Sequence, residues 1–298
     1  MNPRILVSGA SGLVGTALLP TLKASGYQVT RLVRRATAAV GETSWDPAQP
    51  ISADAVSGFD AVIHLAGESV VGRWTPEKKA SIRDSRIPAT THLAQALAQA
   101  KQKPGVFLSA SAIGYYGNRG DDVLTEDKNH GSGFAADLAR EWELATTPAV
   151  NAGIRTVQMR IGVILAASGG ALQKMLTPFK MGVGGRIGNG RQWMSWIDLQ
   201  DIVGAIHHLL KTDSLTGPVN LVAPNPVTNA EFTKTLASVL SRPAILPMPA
   251  FAARLAFGQM ADELLLASQR VEPSKLVASG YSFRFADLRA SLHAILDR

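Results

Sequence analysis

Apolar and polar residues follow one another along this chain in blocks that predict alternating strands and helices. Strands are predicted at the apolar run 5–7, at a second apolar run that ends in Arg34 and Arg35, and at 59–65, 104–109, 154–161 and 218–222. The runs at 59–65 and 104–109 are typical of buried parallel strands. Helical patterns lie between the predicted strands, most clearly at 75–101, with a bend near Pro88, at 134–150 and at 198–211. This alternation predicts an α/β fold with a doubly wound parallel sheet.

The composition changes after residue 164. Residues 166–197 are rich in glycine, and residues from 223 onward contain prolines between helical patterns at 228–240, 249–257, 262–268 and 286–296. We therefore predict a first domain over 1–162, to which 198–222 return. Residues 163–197 and 223–298 would form a smaller, mainly helical lobe on the substrate side.

Three glycines follow the first strand at a spacing of three, namely Gly9, Gly12 and Gly15, and a helix follows them. In a βαβ unit such glycines permit a sharp turn, a close approach of the backbone to a pyrophosphate, and tight packing of the helix on the sheet. The helix N-terminus offers free N–H groups to phosphates. The pattern predicts dinucleotide binding; the alternative is a glycine-rich turn without a ligand.

The end of the second strand indicates which dinucleotide would bind. Sites for NAD usually place Asp or Glu about 20 residues after the glycine motif, where it accepts from the ribose 2′-OH. This chain has Arg34 there, with Arg35 beside it and Arg31 before it. Because a guanidinium can bind a 2′-phosphate with paired hydrogen bonds, NADP is favoured. The alternative is that these arginines are solvated residues at a strand end.

Composition limits the class of protein. The chain has 298 residues, 46% of them hydrophobic, no cysteine, and a net charge of +7. No cysteine means no disulfide and no thiolate catalysis. No signal peptide and no membrane span is evident, which predicts a cytoplasmic protein. The histidines show no ligand spacing, so no metal is expected. The basic residues are dispersed, so nucleic acid is not expected as a partner.

Polar residues also follow the strand at 104–109. Ser109, Ser111, Tyr115 and Tyr116 come at its carboxyl end, where parallel sheets bind ligands. A serine hydroxyl could hold a carbonyl or alcohol, and a tyrosine of lowered pKa could transfer the proton. The alternative is a turn with a packed aromatic pair. Of the remaining polar residues, Asp198 and Asp201 are predicted to cap the helix at 198–211.

The chain resembles the extended short-chain dehydrogenase/reductase (SDR) superfamily, and within it the atypical, NAD-dependent epimerase/dehydratase-like branch of epimerase family proteins. The segments that carry this resemblance extend almost from end to end and include GASGLVG (9–15), VIHLAGE (62–68), SASAIGYYG (109–117), RIGVIL (160–165), GGRIGNGRQWMSWIDLQD (184–201) and RPAILPMPA (242–250). The resemblance implies a Rossmann fold of SDR type that binds NADP and a small-molecule substrate.

The resemblance also implies roles for single residues. Those expected around the pyrophosphate are Gly9, Ser11, Gly12, Leu13, Val14 and Gly15. Val33 and Arg34 would lie by the adenosine ribose, with Arg35 next to them. Other expected cofactor contacts are Leu65, Ala66, Gly67, Arg86, Ser109, Val163 and Ile164.

One departure from the family pattern bears on catalysis. Typical members carry a YxxxK pair on the helix after the serine strand, but here Phe134 and Leu138 occupy these positions. Neither side chain can exchange a proton, so we predict Ser111 and Tyr116 as the catalytic pair instead. The loop with Arg186, Arg191, Gln192, Trp193 and Trp196 is expected to face the substrate.

Three functions are compatible with these residues. The first is an NADP(H)-dependent oxidoreductase or epimerase that acts on a nucleotide-linked or anionic small molecule. The second is a cofactor-binding sensor or scaffold with little catalysis, which the missing tyrosine and lysine favour. The third, RNA binding, is suggested only by the net charge.

Overall fold

The computed structural model describes residues 2–36 and 38–297, which contain thirteen strands and eleven helices. The strands are β1 (Arg4–Ser8), β2 (Gln28–Val33), β3 (Glu42–Ser44), β4 (Ala61–His64), β5 (Val106–Ala112), β6 (Val123–Leu124), β7 (Arg155–Ile161), β8 (Val163–Leu165), β9 (Trp193–Met194), β10 (Trp196–Asp198), β11 (Gly217–Leu221), β12 (Val227–Thr228) and β13 (Arg270–Val271). The helices are α1 (Leu13–Ala24), α2 (Pro76–Asp84), α3 (Ile87–Gln99), α4 (Phe134–Leu144), α5 (Thr147–Asn151), α6 (Gly170–Lys180), α7 (Leu199–Lys211), α8 (Asn229–Val239), α9 (Ala250–Phe257), α10 (Ser274–Ala278) and α11 (Leu288–Leu296).

Seven parallel strands form the central sheet in the order β11-β7-β5-β4-β1-β2-β3. Successive side chains of a strand face opposite sides of a sheet. Ile5 and Val7 accordingly pack in the layer that contains α1 and α7, whereas Leu6 packs in the layer with α3. With helices on both faces, the predicted doubly wound fold is confirmed.

Two of the predicted helices are each divided in the structure. The pattern at 75–101 forms α2 and α3, with Pro88 in the first turn of α3. The pattern at 134–150 forms α4 and α5, with Pro148 in the first turn of α5. Proline has no N–H to donate within a helix but fits the first turn, so the predictions of single helices were wrong at these points.

The glycine-rich and C-terminal parts contain short elements that the sequence did not predict. Strands β8, β9, β10, β12 and β13 have two or three residues each, which is too few to show a period. The helix predicted at 262–268 is a π-helical turn at 261–265. Helices α6, α8 and α11 share a separate apolar cluster. No helix of 2–36 or 38–297 is long and apolar enough to cross a membrane.

The segment 198–222 contributes α7 and β11 to the layers of the main sheet, since β11 pairs with β7 and α7 packs on α1. The division of the chain into domains stays a prediction. Asp198 caps α7 as expected, with its carboxylate accepting from the Gln200 N–H. The expectation for Asp201 was wrong, because its carboxylate accepts from the backbone of Arg284 and Phe285 and holds the C-terminal segment.

Candidate functional site

The glycine turn between β1 and α1 is closely packed. Gly9 has a φ of +69°, and a Cβ atom there would lie 2.5 Å from the Leu65 carbonyl carbon. A Cβ atom on Gly15 would lie 2.3 Å from the Gly9 oxygen. Both positions therefore require glycine, which keeps α1 close to the turn.

The start of α1 is open to a ligand. Gly12 is the N-cap residue, and no side chain caps the helix. The N–H groups of a first helical turn have no partners within the helix, and they carry the positive end of its dipole. Ser11 and Gly12 are exposed and Leu13 is half-buried, whereas the Val14 side chain lies in the core. The turn can therefore hold an anionic group with its backbone.

The three arginines near the end of β2 have different partners. Arg31 donates to Glu42 at 2.6 Å, and Arg35 forms an ion pair with the same carboxylate. The hydrogen bond from Arg35 lowers the pKa of Glu42. Arg34 is exposed, and its guanidinium donates no hydrogen bond to residues 2–36 or 38–297. Of these three cations, Arg34 is thus the one that can bind an external anion without breaking an ion pair.

Arg86 holds the chain that follows β4. Its guanidinium donates to the Glu68 carbonyl at 2.8 Å and to the Ile82 carbonyl at 3.0 Å. It stacks 5.0 Å from the Trp142 ring, and burial lowers its pKa to about 10. A Cβ atom on Gly67 would lie 3.1 Å from this guanidinium. Arg86 therefore fixes the loop of Leu65, Ala66 and Gly67 beside the glycine turn.

The segment after β7 reaches over the start of α1. Val163 and Ile164 belong to β8, which pairs with β10. Beyond this strand, a Cβ atom on Gly169 would lie 3.1 Å from the Leu13 side chain. The predicted contacts at 163–164 and at 9–15 thus lie on segments that meet each other.

Ser111 and Tyr116 belong to one buried polar network. The Ser111 hydroxyl donates to Glu143 at 2.7 Å, and Arg160 binds both oxygens of the same carboxylate at 2.8 and 2.9 Å. The Tyr116 hydroxyl donates to Asn220 Oδ1 at 2.7 Å and accepts from Arg160 at 2.9 Å. The Tyr116 ring is completely buried.

This network bears on the predicted catalytic pair. Burial raises the pKa of Tyr116 to about 12, the opposite of the lowered pKa that a tyrosine acid/base needs. Both hydroxyls would have to leave their present partners to reach a substrate. The catalytic roles of Ser111 and Tyr116 stay a prediction. Ser109 is also completely buried, next to the strand that carries His64.

Phe134 and Leu138, which replace the usual tyrosine and lysine, lie in an apolar cluster with Trp74, Ile82 and Met260. The Phe134 and Trp74 rings pack edge to face, with centroids 5.1 Å apart. The cluster joins α2 and α4 to the C-terminal region.

A carboxylate from the C-terminal region caps α4. Gly133 is the N-cap residue and cannot do so itself. Glu263 accepts from the backbone N–H groups of Phe134 at 3.1 Å and Ala135 at 2.7 Å. The sequence does not indicate this contact, because a cap supplied from so far along the chain leaves no local pattern.

Some side chains of the glycine-rich loop are exposed, whereas others are paired or buried. Arg186 and Arg191 are exposed. The Trp193 indole donates to Asp121, and the Arg270 guanidinium lies 4.5 Å from its ring centre. Trp196 is completely buried in the core, so the expectation that it faces a substrate was wrong. Within 2–36 and 38–297, no three acidic or histidine side chains are grouped as ligands for a metal.

Comparison with known proteins identifies relatives along the whole chain. Residues 5–221 match the NAD dependent epimerase/dehydratase family, and residues 248–295 match a domain of unknown function (DUF1731). The chain is 44% identical over 284 residues to epimerase family protein Mb2239 of Mycobacterium bovis. This alignment covers 95% of this chain and 94% of that protein.

Two solved structures are also similar. The crystal structure of human epimerase family protein SDR39U1 (isoform 2) with NADPH superposes with a TM-score of 0.91 at 34% identity and covers 99% of both chains. The nucleoside-diphosphate sugar epimerase from Corynebacterium glutamicum superposes with a TM-score of 0.84 at 37% identity, covering 99% of this chain and 58% of that one.

Proposed function

Since this chain belongs to the NAD dependent epimerase/dehydratase family, in the extended SDR branch that its sequence resembles, we propose that it is an NADP(H)-dependent oxidoreductase or epimerase. Its substrate would be a nucleotide-linked or anionic small molecule. The human relative whose structure contains NADPH supports the choice of cofactor.

The residues present fit a dinucleotide. The backbone of Gly9, Ser11, Gly12 and Leu13 forms a cradle that a Cβ atom on Gly9 would disturb, at the uncapped start of α1. We assign the loop that Arg86 fixes to the adenine side and the segment at 163–164 to the nicotinamide side. The bound nicotinamide would supply hydride transfer, and the protein would orient the reactants.

The choice of NADP(H) rests on the different partners of Arg31, Arg34 and Arg35. Glu42 occupies Arg31 and Arg35, which leaves Arg34 exposed at the end of β2. A 2′-phosphate would bring two further negative charges to this point, and a free guanidinium suits them. Arg35 could contribute only by leaving its ion pair.

The test is calorimetric titration of NADPH and NADH into the wild type and Arg34→Ala. We expect the substitution to weaken NADPH binding by about 10- to 100-fold, as the loss of charge-assisted hydrogen bonds implies, and to leave NADH binding unchanged. Arg83→Ala is the matched control, because Arg83 is an exposed arginine that pairs with Glu141 on α4.

Two results would contradict the proposal. If the wild type binds NADH as tightly as NADPH, Arg34 does not select the cofactor. If it binds neither cofactor at millimolar concentration, the proposed function is wrong as a whole. A structure of protein purified without added ligand would show whether a nucleotide is retained.

The substrate class rests on charge. Arg186 and Arg191 are exposed cations on the glycine-rich loop next to β9. The similar protein from Corynebacterium glutamicum is described as a nucleoside-diphosphate sugar epimerase, which agrees with an anionic substrate. Screening nucleoside-diphosphate sugars for oxidation or reduction of the bound cofactor tests this part of the proposal.

A second candidate function is a cofactor-binding sensor or scaffold. The observation that favours it is the apolar cluster of Phe134, Leu138, Trp74 and Met260, which contains no proton donor where typical members carry their acid/base pair. Absence of hydride exchange between bound cofactor and every nucleotide sugar tried, together with a cofactor-induced change in proteolysis of 255–265, would favour this function over the enzymatic one.

A further inference from the structure

The C-terminal half carries an exposed apolar surface that the proposed function does not use. Seven large hydrophobic side chains in the segments 181–183 and 245–255 are more than a third exposed, namely Met181, Val183, Ile245, Leu246, Met248, Phe251 and Leu255. Ile245, Phe251 and Leu255 are 78%, 72% and 76% exposed. We call these seven residues the apolar ridge. Exposed apolar residues gathered in one place mark interaction surfaces.

The two segments that carry the ridge lie side by side in the structure. The Met248 N–H donates to the Arg186 carbonyl, and the Gly188 N–H donates to the Met248 carbonyl, both at 2.9 Å. A Cβ atom on Gly182 would lie 3.6 Å from Pro243. Helix α9, which carries Phe251 and Leu255, follows directly.

The charged side chains within the segments that form the ridge are all basic. Residues 166–197 and 232–261, which contain both segments, hold seven of the 30 lysines and arginines and none of the 23 aspartates and glutamates of the chain. Lys180, Arg186 and Arg242 are exposed in these segments. Arg254 is partly neutralised, since its Nε donates to Asp262 at 2.8 Å. The ridge therefore has a basic rim.

This charge pattern decides between possible occupants. In a symmetric dimer the rim would face its own copy, so that like charges would repel each other. Peptide recognition usually needs a groove, but side chains that are three-quarters exposed project from the surface. Projecting apolar side chains with a cationic rim match a negatively charged lipid surface, into which such residues insert while lysine and arginine meet the headgroups.

We propose that the apolar ridge docks this protein on anionic phospholipid bilayers. Ile245, Phe251 and Leu255 insert at the boundary of headgroups and acyl chains, and Lys180 and Arg242 contact the lipid phosphates. The proposal is independent of cofactor binding, because none of these five residues belongs to the proposed cofactor site.

The experiment is vesicle flotation of the full chain with vesicles of phosphatidylcholine alone and of phosphatidylcholine mixed with phosphatidylglycerol. We expect binding to the mixed vesicles only. Phe251→Ser should weaken it by at least about tenfold, since it removes an inserted aromatic side chain. The double variant Lys180→Glu/Arg242→Glu should weaken it by more than about 25-fold.

Matched controls keep the outcome interpretable. Val277→Ser removes a hydrophobic residue that is 55% exposed outside the ridge, and Lys101→Glu/Lys128→Glu reverses two exposed charges elsewhere. Both should bind vesicles like the wild type, and an unchanged urea unfolding curve followed by circular dichroism shows that each variant is folded.

Three outcomes would overturn the proposal. Absence of binding to the mixed vesicles is the first. Binding that the charge reversals abolish but Phe251→Ser leaves intact would indicate a purely electrostatic polyanion surface, such as one for RNA. Dimers in sedimentation that Phe251→Ser dissociates, without vesicle binding, would indicate that a second copy covers the ridge.

Discussion

Removing the cap that Glu263 provides for α4 tests how the C-terminal region stabilises the candidate site. Glu263→Ala removes an acceptor from the N–H groups of Phe134 and Ala135, and it removes a negative charge from a helix N-terminus. A lost cap costs about 1 kcal/mol, and the interaction with the helix dipole adds about 0.3–1 kcal/mol. Because two N–H groups are freed, we expect the free energy of unfolding to fall by about 2 kcal/mol.

Urea unfolding followed by circular dichroism measures this loss, and amide hydrogen exchange locates it. The N–H groups of Phe134 and Ala135 should exchange about 30-fold faster in Glu263→Ala, the factor that about 2 kcal/mol implies. Asp262→Ala is the control, because it breaks only the surface ion pair with Arg254 and should cost less than about 1 kcal/mol. Equal losses in the two variants, with unchanged exchange at Phe134, would refute the reasoning.

Three further predictions concern the glycine turn and two buried groups. Gly15→Ala places a Cβ atom 2.3 Å from the Gly9 oxygen, so calorimetry should show NADPH affinity lowered by more than about tenfold; the exposed Thr16→Ala should retain it. Tyr116→Phe removes buried hydrogen bonds to Asn220 and Arg160 and should lower the free energy of unfolding by about 1–3 kcal/mol in urea. Intact cofactor-dependent turnover in that variant would contradict the catalytic role. Burial lowers the pKa of His64 from 6.5 to about 4, so the folded state binds this proton less readily than the unfolded state. The wild type should therefore have its full free energy of unfolding above pH 6.5 and lose about 3 kcal/mol of it toward pH 4, relative to His64→Gln. Urea unfolding at each pH measures this, and a difference between the two proteins that does not change with pH would contradict it.

The sequence predicts the centre of this fold well because the central strands are buried on both faces. Strands β1, β4 and β5 each contain a continuous apolar run, and the glycines at 9, 12 and 15 mark the turn that follows β1. The sequence is ambiguous at the prolines within helical patterns. Pro88 and Pro148 are compatible with the first turn of a new helix as well as with a bend, and local pattern does not distinguish the two.

The candidate site was predictable where local geometry defines it and unpredictable where distant residues meet. Arg34 could be chosen from its distance to the glycine motif. Its isolation could not, because that depends on Glu42 reaching Arg31 and Arg35 from the neighbouring strand. The partners of Ser111 are similar, since Glu143 and Arg160 come from α4 and β7. Hydrogen-bond partners across a fold are a property of the tertiary arrangement, and it was this arrangement that gave Tyr116 a buried hydroxyl.

The position of β11 at the edge of the sheet affects how the chain can fold during synthesis. Its register pairs Leu221 with Ile161, so β7 lacks its outer neighbour until the ribosome has added the 60 residues from Gly162 to Leu221. At about 5–20 residues per second this takes roughly 3–12 s. During that interval the nascent β7 presents an unpaired edge, which is a template for aggregation. Emergence of β11 from the exit tunnel is therefore the step at which β7 changes from an edge strand into an internal strand of the sheet.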